Sequence, residues 1–423
     1  MTSRKNGIRE WGQKSNFMEK PLQIRIVKYF KNAYITVEGD QNTSQFFIIR
    51  EGKVHISRRE QVVAEERGNV LKPGDFFGVV SSLSGHSHIE NAQALNDVSL
   101  VAVHKDQFSR LIQDNATVAI KILLEFSRRM RYLNESLTRI TLKKIADVNV
   151  DHLFFVGEYY AAQRHFDLAN YAYNQYIKHC PEGANVRAAK DKLKRVAQYV
   201  KSSKILFGPD ELTRNYPKDT MIFSEGEPGE EVYIIKSGLV KIAKVVKDGE
   251  MLLSILRPGD IFGEMALLES KPRGACAISY EACELMVVNR LNFHQILRSQ
   301  PQLITHMITL LAERIWLSYK QLANTRILDP LGRMYDMLLI QLEKNHVNLN
   351  IKHAYQFDFG VMELAGMAGV SYQEGKMAMQ KLLQNRALKI HREKICVENI
   401  LEFSRQAGYF RKMQDVTIVS RRK

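Results

Sequence analysis

Leu256-Arg-Pro-Gly-Asp-Ile-Phe-Gly263 repeats Leu71-Lys-Pro-Gly-Asp-Phe-Phe-Gly78, and the stretch before each recurs too, Phe47-Ile-Ile-Arg-Glu-Gly-Lys-Val54 as Tyr233-Ile-Ile-Lys-Ser-Gly-Leu-Val240. Order and separation are kept, so the chain carries one long unit twice. Each copy has short β-type runs broken by Gly, Pro, Asp or Asn, then an amphipathic helical stretch. That pattern predicts a small antiparallel barrel followed by a helix. With 423 residues the chain has room for two to four domains, each able to bury a core. The expected division is a first barrel and helix over 20–145, a helical linker over 146–202, a second barrel and helix over 203–325, and a C-terminal domain over 326–410. The fold class expected is α+β multidomain.

The two copies diverge just past the shared Phe-Gly. In the second, Phe262-Gly-Glu-Met-Ala-Leu-Leu-Glu-Ser-Lys-Pro-Arg-Gly-Ala-Cys-Ala277 places Glu264 and Arg273 nine residues apart, after a strand broken by Pro258 and Gly259. This stretch resembles the phosphate-binding cassette of the cyclic-nucleotide-binding domain family. The resemblance implies that Arg273 meets a cyclic phosphate with directed N–H donors, helped by backbone N–H groups at the start of a short helix. It implies that Glu264 accepts from the ribose 2′-OH. The ligand-binding residues expected are Phe262, Gly263, Glu264, Met265, Ala266, Arg273, Gly274, Ala275 and Ser318. The alternative is a structural Glu264–Arg273 ion pair in a barrel that has lost its ligand.

In the first copy, Phe77-Gly-Val-Val-Ser-Ser-Leu-Ser-Gly-His-Ser-His-Ile-Glu-Asn-Ala92 has Val79 at the Glu position and His88 at the Arg position. Valine cannot accept from a ribose hydroxyl, and a histidine of ordinary pKa is a poor permanent anchor for phosphate. The first barrel is therefore expected to be a scaffold or dimerisation module. The alternative is that His86 and His88 hold a different ligand or a metal. In this family a hydroxyl residue straight after the cassette arginine favours guanine; Gly274 stands there, so the resemblance points to cyclic AMP as the regulatory ligand, with no metal or other cofactor. The family's base contacts come from the helix after the barrel, where Glu313-Arg-Ile-Trp-Leu-Ser-Tyr-Lys320 aligns. Ser318 keeps one hydroxyl there, and Leu317 replaces the other.

Leu303, Ile304, Met307, Leu310, Leu311, Ile315 and Leu322 form an apolar stripe along that helix, and Ile120, Leu123, Met130, Leu133 and Leu137 repeat it in the first copy. The stripes predict packing on each helix's own barrel, a homodimer seam, or a seam between the two helices of one chain. Between the barrels, Leu153, Val156, Gly157, Tyr160, Ala169, Tyr173, Tyr176 and Pro181 have the spacing of a single tetratricopeptide-like helix pair. One such pair cannot bury its own faces, so it is expected to pack on the barrels or on a helix over 184–201, as a linker.

Past Leu328-Asp-Pro-Leu-Gly-Arg-Met334 an amphipathic helix is followed by Glu363-Leu-Ala-Gly-Met-Ala-Gly-Val-Ser371, which puts Gly in a tight turn between two helices. Ser371-Tyr-Gln-Glu374 reads as a capping box opening a helix to about Asn385, and 389–397 as a β-wing. Together with the barrels, this order resembles the catabolite-activator (cyclic AMP receptor protein)/FNR-like transcription regulators, which carry a C-terminal winged helix. The resemblance implies double-stranded DNA as a partner and Ser371, Tyr372, Gln373, Lys376, Gln380 and Lys381 as the reading face, with Arg386 or Lys381 on phosphate. The base-reading arginines and glutamate of the best-known members are replaced by Tyr372, Gln373 and Met377. A winged helix that binds protein is the alternative.

The formal charge of +15 is compatible with an anionic partner or a merely solvated basic surface. From Arg326 onward, sixteen Lys or Arg face ten Asp or Glu, a modest excess of the sign that phosphate requires. No P-loop, HExxH or nucleophile constellation is seen, so no enzyme is expected. The four cysteines are scattered without CxxC pairs, which predicts reduced thiols and neither disulfide framework nor cluster. No apolar run is long enough for a membrane span, and the polar N-terminus lacks a signal sequence; a cytoplasmic location is expected.

Overall fold

The computed structural model describes residues 25–58, 69–142, 151–200, 207, 211–246, 249–290, 292–293, 301–370, 372–385 and 387–421. The first copy has strands β1 (Arg25–Tyr29), β2 (Tyr34–Thr36), β3 (Gln45–Glu51), β4 (Val54–Ser57), β5 (Val70–Leu71), β6 (Phe76–Phe77), β7 (Asn91–Ala94) and β8 (Val98–His104). Helix α1 (Val79–Ser84) follows β6, and α2 (Phe108–Asp114) and α3 (Ala116–Leu142) follow β8. The strands form two four-stranded antiparallel sheets, ordered β1-β8-β3-β6 and β2-β7-β4-β5.

Helices α4 (His152–Ala162), α5 (Phe166–His179) and α6 (Val186–Ala197) come next. The second copy then runs through β9 (Thr213–Tyr216), β10 (Met221–Phe223), β11 (Glu231–Ser237), β12 (Val240–Val246), β13 (Gly249–Leu256), β14 (Ile261–Phe262), α7 (Glu264–Glu269), β15 (Cys276–Ser279), β16 (Cys283–Asn289) and α8 (Pro301–Asn324). Its sheets, β14-β11-β16-β9 and β10-β15-β12-β13, reproduce the first copy strand for strand.

The expected barrels do not close. Among the described residues each copy is a pair of facing sheets with no ladder joining them; edge strands β5, β6 and β14 are two residues long, whereas edge strand β13 has eight. Period-2 alternation still fills the interiors: Phe47, Ile49, Val54 and Leu100 in one, Tyr233, Ile235, Val240 and Leu285 in the other. Each such side chain contributes roughly 1.5–3 kcal/mol by leaving water.

The two long helices pair inside the chain. On α3, Leu123, Met130, Leu133 and Leu137 are buried, as is the stripe on α8 apart from the partly exposed Leu310. Ile120, expected in the α3 stripe, is 37% exposed, while its neighbours Ala119, Ile122 and Leu123 are buried. Arg129 Nε donates to the Tyr319 hydroxyl (2.9 Å) across the seam. Each short helix also lies against the other copy's long helix, α1 on α8 and α7 on α3. This is a dimer-like arrangement made by one chain.

The helices α4 to α6 share a core with the second sandwich, Tyr160, Tyr173 and Tyr176 clustering with Met221, Val245, Cys276 and Ile278. Gly157 is where α4 and α5 come closest; a Cβ there would stand 2.5 Å from the Tyr173 ring. The C-terminal part has α9 (Pro330–Lys344), β17 (Tyr355–Gln356), α10 (Val361–Met367), α11 (Tyr372–Leu383), β18 (Leu388–His391), β19 (Lys394–Val397) and α12 (Ile400–Arg421). Asp329 caps α9, its carboxylate accepting from the N–H groups of Leu331 (3.3 Å) and Gly332 (3.1 Å). The strands pair as β17-β19-β18, and Gly369 (φ +61°) turns the chain between α10 and α11. This part docks on the second sandwich through Arg257–Asp358 (2.8 Å) and Lys394–Glu281 (3.5 Å). Among the described residues, no helix is long and apolar enough to cross a membrane.

Candidate ligand-binding site

Gly259 (φ +94°) ends the strand before the cassette, and Gly263 (φ +85°) turns the chain into α7. Glu264 therefore sits in the first turn of that helix, and Arg273 arrives from the loop beyond it. A Cβ on Gly263 would stand 2.6 Å from Arg273 Nη1, so the position needs glycine both for its dihedral and for the arginine's approach. Arg273 Nη1 donates to the Gly263 carbonyl (2.7 Å), and its guanidinium carbon lies 4.2 Å from the centroid of the Phe223 ring.

Arg273 is 3% exposed, and its Nε is buried with no hydrogen-bond partner. Among the described residues no carboxylate is within ion-pair distance of it. The expected alternative of a Glu264–Arg273 pair is therefore not what forms. Glu264, also 3% exposed, is taken by Arg314 of α8, whose Nη1 donates to Oε1 at 3.1 Å. Burial raises the Glu264 carboxyl above its ordinary value, with Arg314 and Arg273 opposing.

All nine ligand-binding residues expected, from Phe262 to Ser318, line one cavity of about 760 Å3, including its open mouth. Phe223, Ile242, Leu253 and Leu256 supply apolar wall. Two contributions went unread in the sequence. Arg314, on the same helix as Ser318, lines the cavity and holds Glu264. Met130, Arg131 and Asn134 of α3 close the cavity from the first copy. Arg131 is tied down, Nε donating to Glu269 (2.9 Å) and Nη1 to the Pro272 carbonyl (3.2 Å), while Asn134 Oδ1 is buried without a partner. A polar Asn134 amid the apolar α3 stripe was the available signal. The site thus offers a buried cation without a counter-ion, a buried carboxylate, apolar walls and an unsatisfied amide. This suits a small anion with a flat, partly polar body.

The matching region of the first copy is also a cavity, lined by Ile56, Leu71, Phe76, Glu90 and Arg129 among others, but its buried carboxylate Glu90 is paired. Glu90 accepts from Arg58 (2.8 Å) and Arg129 (3.0 Å), and both guanidiniums lie over the Tyr319 ring. Burial works to raise the Glu90 carboxyl, but Arg129 and Arg58 outweigh it and hold it at about 2. His86 and His88 do not share a site. The His86 ring stacks between Trp316 (3.9 Å) and His346 (4.3 Å), whereas His88 Nε2 lies 3.1 Å from the Asn42 carbonyl. Among the described residues no group of side chains is arranged to hold a metal.

Of the residues expected to read DNA, Ser371 and the phosphate candidate Arg386 lie outside the described residues. Tyr372, Gln373 and Lys376 belong to α11, and Gln380 and Lys381 are exposed on it. Met377 on the same helix is 68% exposed.

The cyclic nucleotide-binding domain family matches residues 26–115 and 213–300. The chain is 25% identical over 194 residues to a CRP-like cAMP-activated global transcriptional regulator of Mycobacterium tuberculosis, covering 46% of this chain and 87% of that protein. It is 28% identical over 179 residues to the cyclic AMP receptor protein of Thermus thermophilus, covering 42% and 79%. Among solved structures it is similar to the c-di-GMP-responsive global regulator CLP of Xanthomonas campestris, at 22% identity, 44% and 93% coverage and a TM-score of 0.38, a loose superposition.

Proposed function

We propose, for a chain that belongs to the CRP/FNR-like cyclic-nucleotide-binding proteins, a non-enzymatic regulator that binds cyclic AMP in the second sandwich and contacts double-stranded DNA through its C-terminal part. In this reading residues 203–325 are the sensor, 20–145 a degenerate partner, 146–202 a tetratricopeptide-like linker and 326–410 a winged helix. The observation that carries it is Arg273, a buried guanidinium with no carboxylate partner at the wall of a cavity. Such a charge is costly unless an anion meets it, and a cyclic phosphodiester supplies one negative charge with directed acceptors.

In this reading Arg273 binds phosphate, Glu264, held by Arg314, accepts from the ribose hydroxyl, and Asn134 with Ser318 faces the base. Ligand thereby bears on both α3 and α8. Because α8 leads into the C-terminal part, a ligand that prefers one arrangement of the seam shifts that part's orientation. The reading invokes no metal.

A second reading, a cyclic-nucleotide-binding adaptor whose insert and C-terminal part engage proteins, is favoured by the 68% exposure of Met377, an apolar side chain amid the expected DNA-reading residues. Anisotropy of labelled DNA duplexes, titrated with the full chain with and without cyclic AMP at several salt concentrations, tests the choice. DNA binding that strengthens with cyclic AMP and falls steeply with salt supports the regulator, since phosphate contacts release counterions. Absence of DNA binding in either state at low salt rejects it in favour of the adaptor.

A further inference from the structure

We infer that the helical insert positions the phosphate anchor of the second sandwich: Tyr171 and His152 hold the loop Ser224–Gly229 on which Arg273 rests. The inference rests on the reading that the cavity takes a cyclic phosphodiester, and it adds a role for a segment which that reading leaves as a linker.

The loop is the bed of the arginine. Arg273 N–H donates to the Glu227 carbonyl (2.8 Å), and the Arg273 carbonyl accepts from Gly226 N–H (2.9 Å). A Cβ on Gly229 would stand 2.7 Å from Arg273 Nε, so loop backbone and guanidinium are in direct contact. With Phe223 on another side, the head group cannot move without the loop.

Both carboxylates of the loop are engaged on the insert side. The Tyr171 hydroxyl of α5 lies 3.1 Å from Glu227 Oε2, which also accepts from Ser224 N–H (3.0 Å). Glu225, fully buried, meets Lys244 Nζ (2.7 Å), accepts from Val245 N–H (3.0 Å) and has His152 Nε2 of α4 at 3.5 Å. Lys244 in turn donates to the carbonyl of Gly274, the residue after the anchor (3.1 Å). The insert is therefore linked to both flanks of Arg273, through Glu227 on one side and through Glu225 and Lys244 on the other. Neither Tyr171 nor His152 lines the cavity, so both are positioning residues.

The test uses the full-length chain. Calorimetric titration of wild type and Tyr171→Phe with cyclic AMP and with cyclic GMP is run beside thermal melts. Hydrogen exchange over 152–179 is followed in wild type and Arg273→Ala, with and without cyclic AMP at the concentration that saturates wild type. Loss of one buried hydrogen bond to a carboxylate is expected to weaken both nucleotides about three- to tenfold, with their ratio unchanged because the phosphate is common to both. Cyclic AMP is expected to slow exchange over 152–179 in wild type and not in Arg273→Ala, a readout that mere structural support does not move. Unchanged affinity in Tyr171→Phe, or unchanged exchange in saturated wild type, overturns the inference alone. If Tyr171→Phe does not fold, the wild-type exchange decides. If wild type binds neither nucleotide, the sensor reading falls and takes the inference with it.

Discussion

Arg314 reaches from α8 to Glu264 in the first turn of α7 at 3.1 Å, so the one carboxylate in the wall of the second cavity is held by the long helix. The separation that relates Gly78 to Gly263 also relates Arg129 to Arg314, and Arg129 holds Glu90 at 3.0 Å. The repeat has kept a helix arginine on a buried carboxylate in both halves, but the carboxylate has changed place. In the first half it sits inside the sandwich and satisfies two arginines; in the second it leaves Arg273 without a counter-ion.

Removing Arg314 leaves Glu264 buried and unpaired. We predict that Arg314→Ala lowers unfolding stability by about 3 kcal/mol in denaturant titration, since breaking a buried pair strands the remaining charge. Adding Glu264→Gln restores part of the loss. A loss below about 0.5 kcal/mol in the single variant contradicts the pairing.

Asn134 presents an unsatisfied amide to the cavity from the first copy. Asn134→Ala is expected to shift the ratio of cyclic AMP to cyclic GMP affinity by about fivefold, a difference near 1 kcal/mol, the usual worth of one hydrogen bond. Competition binding measures it. An unchanged ratio means that α3 forms wall and nothing more.

The two cassette glycines separate strain from contact. Gly263→Ala meets both a left-handed dihedral and Arg273 Nη1 at 2.6 Å, whereas at Gly78 (φ +78°) the nearest atom to a new Cβ is 3.6 Å away. Both variants are expected to lose about 1 kcal/mol or more of stability to strain. Only Gly263→Ala is expected to weaken nucleotide binding tenfold or more. Equal effects on binding contradict the assignment of the two sites.

His86 supplies a pH test of the link between the first sandwich and the C-terminal part. Burial first, then His346, Lys320 and Lys344, lower its pKa to about 3 from an ordinary 6.5. Its folded pKa is depressed, so its contribution is fully present above pH 6.5 and is lost as pH falls from 6.5 toward 3. The unfolded chain takes up the proton in that window and the folded chain does not. Thermal melts should show wild type losing stability relative to His86→Phe between pH 7 and pH 5. Parallel pH profiles for the two proteins contradict the buried neutral stack.

The cassette was legible in sequence because its parts are local: two glycines, a short helix and an arginine at fixed spacing put eight of the nine expected residues around one cavity, and the ninth, Ser318, comes from the helix α8. What crosses between the copies was not. Asn134 and Arg131 enter from a helix of the other half; a polar residue in the α3 stripe sets Asn134 apart, but nothing local says that it faces the second cavity. In the first copy Val79 and His88 mark the lost charges, but the carboxylate in the cavity wall there is Glu90, which reads as ordinary until Arg58 and Arg129 are seen around it. Strand alternation predicted the sheets and overstated their closure, since alternation along a strand does not say which edges pair.

The central claim is that one chain forms a dimer-like sensor with a single working site. Calorimetry of the full chain with cyclic AMP, with molar mass followed by sedimentation, tests it most directly. The account predicts one nucleotide per chain, complete loss in Arg273→Ala and unaltered stoichiometry in His88→Ala. Two nucleotides per chain, or binding that survives Arg273→Ala, would contradict it.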